Sequence, residues 1–186
     1  MARWEPGAGG RLSEAALELF LERGFEQTMV ADIAERAGVT ARTFFRHFAD
    51  KREVLFAGAS AMEEIALAAL ESAPPTASAL DAITLALDAA AGMIGRDRGF
   101  TQKRQAVIMA NAELRERELT KLASISATLA GGLRRRGVGD LDASLAAETG
   151  VAVYRVAFER WVNATEDGEL RDVIRTALAQ LRTLAQ

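Results

Sequence analysis

Apolar residues recur at helical spacing along most of this chain, and the runs are separated by glycine, proline or polar turns. Leu12, Ala16, Leu19 and Phe20 line one face of a helix predicted over Arg11–Arg23. Gly24 ends it, and Phe25 folds back onto the same domain. Between Thr28 and Lys51 the pattern shortens to two helices around a tight corner. Thr28 is the expected N-cap of the first, with Ile33 and Ala37 turned to a core and Asp32, Glu35 and Arg36 outward. Ala34 is small enough for two helix backbones to approach, and Gly38 can take positive φ just past the helix end. Val39 fills the corner and Thr40 caps a second helix of about eight residues. A short helix, a glycine-bearing turn and a second short helix make a helix-turn-helix, whose second helix enters a DNA major groove.

The second helix divides its faces accordingly. Phe44 and Phe48, four apart, anchor it, while Ala41, Arg42, Phe45 and Arg46 point outward. Arginine reaches guanine in a bidentate fork or holds phosphate oxygens, and Thr40 and Thr43 can donate to phosphates beside the helix start. Lys51 and Arg52 extend the basic edge.

Downstream, Asp50 and Glu53 form an acidic capping box that opens a long helix through Val54, Leu55, Ile65 and Leu70 to about Ser72. Continuous from the first domain into the body, such a helix can act as a lever. Pro74-Pro75 is the sharpest break. A helix over Thr76–Gly95 follows, with Leu80, Ile83, Leu87 and Ala91 on one side, then a polar turn to Gly99. Phe100–Ala110 holds Val107 and Ile108 inside and ends or kinks near Asn111. From Ala112 a charged face runs opposite Leu114, Leu122, Ile125 and Leu129, and Gly131-Gly132 with the Arg134–Gly137 stretch ends that helix. The arginine triplet reads as cations at a helix C-terminus in preference to a nucleic-acid patch.

Of the last two helices, Leu141–Ala164 is apolar on more than one side, and from Leu170 to the chain end apolar residues repeat three and four apart. Pairing with a symmetry mate in a four-helix bundle uses both faces. Val153, Trp161, Leu170, Val173, Ile174, Ala177, Leu178 and Leu181 are the expected interface.

Composition narrows the class. Apolar residues make up 49%, proline is rare and alanine abundant, which favours an all-α chain. No apolar run suffices to span a bilayer, no signal pattern opens the chain, and cysteine is absent, so a cytoplasmic protein without disulfides is expected. Net charge is −3, yet Arg36, Arg42, Arg46, Lys51 and Arg52 stand against Asp50 alone between residues 36 and 52. An acidic body with a basic tip orients an encounter with DNA. His47 is the only histidine, and no Gly-rich phosphate loop, cysteine nucleophile or histidine-based metal set exists, so neither an enzyme nor a cofactor is expected.

Residues 11–56 resemble the DNA-binding domain of TetR-family (TetR/AcrR-type) regulators. The resemblance lies in Ala15-Ala16, Leu19-Phe20, Gly24-Phe25, Thr28, Ile33-Ala34, Ala37-Gly38-Val39-Thr40, Thr43-Phe44-Phe45, Phe48 and Lys51. It implies an N-terminal reader, a C-terminal helical ligand and dimer domain, and repression relieved by a small molecule. Phe45 and His47 stand where many members carry tyrosine, and Arg42 where many carry glycine, which points to a base contact particular to this chain. The expected organisation is a flexible arm over 1–10, a three-helix helix-turn-helix domain over 11–52, and a ligand-binding and dimerisation bundle over 53–186, about nine helices in all. Thr28, Thr40, Ala41, Arg42, Thr43, Phe45, Arg46, His47 and Lys51 are the candidate DNA-contacting residues. Arg3 and Arg11 suit a disordered tail better than a minor-groove contact.

An effector pocket among helices four to eight is expected from Met62, Leu87, Met93, Ile108, Ile125 and Phe158, with Gln105, Asn111, Thr128 and Tyr154 to orient a ligand. The competing reading is a dimeric helical carrier or interaction protein that has lost DNA binding. The Arg42/Arg46/Lys51 cluster speaks against it.

Overall fold

The computed structural model describes residues 7–165 and 168–184, which form nine α-helices and no strand. The first three are α1 (Ala8–Arg23), α2 (Val30–Arg36) and α3 (Ala41–His47). A 3-10 turn over Glu53–Phe56 precedes α4 (Ala59–Glu71), α5 (Ala79–Ile94) and α6 (Arg98–Ala110). The last are α7 (Ala112–Arg135), α8 (Asp140–Asn163) and α9 (Leu170–Leu184).

Two compact units form. The first comprises the described residues up to Gly58 together with Lys103–Glu118; the second holds Ala59–Gln102 and the chain from Leu119 onward. In the first unit, Leu12, Leu19, Phe20, Ile33 and Phe44 are buried, and Phe25 meets Phe20 edge-on at 5.1 Å. Helix α1 begins at Ala8, so residues 8–10 of the expected arm are already helical; residues 1–6, Arg3 among them, lie outside the described residues.

The long helix expected from Asp50 to Ser72 is interrupted. Asp50 does cap its turn, accepting the Arg52 and Glu53 amides at 2.8 and 3.2 Å. Glu53 pairs with Arg117. Val54, Leu55 and Phe56 are all buried because the turn is held on two sides. Ser13 of α1 donates to the Val54 carbonyl, and Arg104 of α6 donates to Leu55 and lies over the Phe56 ring. Gly58 then takes φ +86°, and α4 starts afresh at Ala59.

In the second unit α5 is the central helix, packed by α4, α8 and α9. Small residues set these crossings. A Cβ on Gly150 would lie 2.4 Å from Ile83 Cγ2, and one on Gly132 2.8 Å from Leu67 Cδ1. Gly131-Gly132 therefore do not end α7; it runs on to Arg135, and Gly137 at φ +87° follows. Each arginine of the triplet has its own place: Arg134 pairs with Asp140, Arg135 with Glu71, and Arg136 donates to the Ala73 and Pro74 carbonyls beyond α4. Helix α9 is bound to α5 in the same way, Arg175 meeting Asp88 at 2.6 Å and Arg182 meeting Asp81 at 2.7 Å.

Candidate nucleic-acid interface

The corner before α3 follows its sequence closely. Gly38 sits at φ +68°, and the Val39 amide donates to the Ala34 carbonyl at 2.9 Å. Thr40 caps α3 by accepting the Thr43 amide at 3.2 Å, and the two threonine hydroxyls share a hydrogen bond at 3.1 Å. Phe44, fully buried, pins the helix and contacts Phe48 at 5.5 Å between ring centroids. With that face fixed, Ala41, Arg42, Phe45, Arg46 and His47 are exposed and Thr43 is half-buried.

The other cations of the basic run are engaged within the fold. Arg36 bridges Glu22 at 2.9 Å and Glu18 at 3.2 Å, and its hydrogen bond holds the Glu22 carboxyl below the usual carboxylate range. Arg52 grips Asp50 at 2.6 Å and depresses that carboxyl likewise. Lys51 donates to the Phe25, Glu26 and Thr28 carbonyls at 2.8, 3.3 and 3.4 Å and sits 4.2 Å from the Phe25 ring centroid. Arg42 and Arg46 alone make no hydrogen bond or ion pair with the described residues.

Thr28 requires a correction. It is 1% exposed, and its hydroxyl donates to Gly24 and Leu19 carbonyls at 2.8 and 3.3 Å, so it neither caps α2 nor faces solvent. Helix α2 begins one residue later than a Thr28 cap requires, with Asp32 accepting the Met29 amide at 3.2 Å. Met29 itself, 66% exposed beside this start, escaped the sequence reading because a lone methionine carries no pattern.

The expected effector residues separate. Met62, Leu87, Ile125 and Tyr154 meet around a cavity of about 30 Å³ bounded by α4, α5, α7 and α8, with Glu63, Ala66, Leu129 and Val151 also in its wall. Thr128 donates to Glu63 at that wall, and Phe158 stacks behind Tyr154 at 5.6 Å. Met93 is half-buried and outside the lining. Gln105, Ile108 and Asn111 belong to the first unit and do not join: Ile108 is buried, Gln105 donates to Glu118, and Asn111 donates to the Val107 carbonyl at 2.7 Å. Position along α6 could not reveal that its residues from Lys103 onward belong to the first unit. A larger open cleft of about 550 Å³ lies where α5, α8 and α9 meet, and its Arg98 donates to the Trp161 carbonyl at 2.9 Å.

The interface residues expected on α8 and α9 lie in this chain's own core. Val153, Trp161, Leu170, Ile174 and Leu178 are buried there, and Val173, Ala177 and Leu181 pack half-buried against it. The outward apolar positions are Leu141, Leu145 and Val156 of α8 and Leu184 of α9, at 70, 57, 62 and 77% exposure. Helical spacing marked both sides of α8 as apolar without saying which one the subunit would use itself.

Comparison with known proteins agrees with this architecture. The family of bacterial regulatory proteins called tetR matches residues 12–57, and the MftR C-terminal domain matches residues 77–186. HTH-type transcriptional regulator TcmR of Streptomyces glaucescens is 39% identical, with 92% of this chain and 81% of that relative covered. The mycobacterial regulator MftR of Mycobacterium tuberculosis is 30% identical over 91% of this chain and 90% of its own. FadR of Bacillus subtilis, solved in complex with stearoyl-CoA, shares the fold at a TM-score of 0.64 and 22% identity, covering 92% of this chain and 96% of that one. The exposed cationic face of α3, the helix-turn-helix behind it and these relatives together establish that the chain belongs to the TetR family and is a DNA-binding transcriptional regulator.

Proposed function

We propose that the protein is a cytoplasmic homodimeric repressor that holds operator DNA through α3 of each subunit and releases it when a small, largely apolar molecule enters the bundle. The observation that carries this reading is the outward face of α3, where Arg42 and Arg46 are unengaged while neighbouring cations are bound inside the fold. Arg42 suits a base edge, and Arg46, with Thr40, Thr43 and His47 on the same rim, suits the backbone. Lys51 supports the corner that presents them.

Two copies are needed because recognition helices must reach successive major grooves, about 34 Å apart. The exposed Leu141, Leu145 and Val156 of α8, with Leu184 of α9, favour pairing through the last two helices. The apolar cavity among α4, α5, α7 and α8 supports an effector site, as does the stearoyl-CoA bound to FadR of Bacillus subtilis. At about 30 Å³ it has room for little more than a water, so the effector enlarges it. A molecule that binds one arrangement of the bundle better than another shifts DNA affinity by linkage.

Selection of bound fragments from genomic DNA by the purified protein tests this reading. The expected result is a retained duplex carrying an inverted repeat, bound by two copies. A monomer that retains no duplex at low ionic strength contradicts it.

A further inference from the structure

We infer that Phe45 reads the methyl group of a thymine in each half of the operator. The inference rests on the DNA-binding reading above and adds to it one base of the recognised sequence.

Three observations lead there. Phe45 is 57% exposed, although its neighbour Phe44 is completely buried. Its ring stands edge-on against Phe44, with centroids 5.5 Å apart and planes at 81°, so the buried ring supports one side of Phe45 and the other side faces out. It shares the outward face of α3 with Arg42, three residues before it, and is followed by Arg46, the two unengaged cations.

A helix that turns two guanidinium groups toward DNA thus carries an aromatic ring between them. That ring has no donor or acceptor. Against a phosphate oxygen or a polar base edge it would strip water and return no hydrogen bond. The major groove floor offers one apolar feature, the thymine C5 methyl, and an apolar side chain recognises it by contact. Arg42 and Phe45 lie on adjacent positions of one helix face, so the thymine falls close to the base that Arg42 meets.

The test uses the operator obtained by selection. Each thymine is replaced in turn by deoxyuridine, which removes the methyl and keeps the pairing, and binding is measured for the wild-type protein and for Phe45→Ala. One thymine per half-site is expected to weaken wild-type binding about fourfold when its methyl is lost, the worth of one buried methylene-sized group. Phe45→Ala should be indifferent to the same replacement, with an unchanged slope of log affinity against log salt. Phe45→Leu, with a shorter reach, should keep a reduced uracil effect and serves if the alanine variant binds too weakly to titrate. Uracil effects equal in wild type and variants overturn the inference, as does a salt slope that falls on removing the ring, which would mark a backbone contact. A protein that binds no fragment overturns the DNA-binding reading with it, whereas tight binding indifferent to every uracil overturns this inference alone.

Discussion

Lys51 illustrates what a charge in a sequence does and does not say. Its ammonium donates to three carbonyls of the α1–α2 connection and lies against the Phe25 ring, so it acts as a clasp for the corner. Lys51→Met keeps the stem and removes the donors. It is expected to destabilise the protein by about 1–2 kcal/mol in urea unfolding and to leave the salt dependence of DNA binding unchanged. Five cations between residues 36 and 52 were plain in the sequence, but their partners were not. Glu22 and Glu18, which take Arg36, and the carbonyls that take Lys51 come from other parts of the chain. Thr28 misled for a related reason: a threonine ahead of a helix resembles a cap, and only the fold directs its hydroxyl back to Gly24 and Leu19.

At the scale of the element, local signals served best where they acted alone. Gly24, Gly38 and Gly137 take positive φ at helix ends, as their positions imply. Thr40 likewise caps α3. The reading failed where packing outweighed local preference. Gly131-Gly132 looked like a stop, yet Gly132 lies inside α7 and admits Leu67 and Leu70, and Val54–Phe56 looked helical until contacts on two sides tightened it to a 3-10 turn. Gly150 lets the competing effects be measured. Alanine there gains about 1 kcal/mol of helix propensity, while its Cβ meets the stiff, β-branched Ile83 at 2.4 Å, and overpacking costs about 1–3 kcal/mol. Gly150→Ala should therefore lower the urea midpoint despite the better helix former.

For the whole molecule, the internal pairing of Lys51 and Arg52 sets how DNA binding responds to salt. Counting Arg42 as well as Arg46, the proposed dimer brings at most four unengaged cations to phosphates, so a log–log salt slope no steeper than about −4 is expected. Were Lys51 and Arg52 also to meet phosphates, eight contacts would bring it to about −7. Fluorescence anisotropy over a salt series separates the two, and the steeper value would mean that the corner rearranges on DNA. The collapsed cavity has a consequence for effector choice. If this cavity takes the effector as proposed, Met62, Leu87, Ile125 and Tyr154 must part before a guest is seated, and that opening work is subtracted from the guest's affinity. Discrimination then rests on how much greasy contact each visitor restores, so a bulky hydrocarbon frame is welcomed where a slight one, however well shaped, is left in solution.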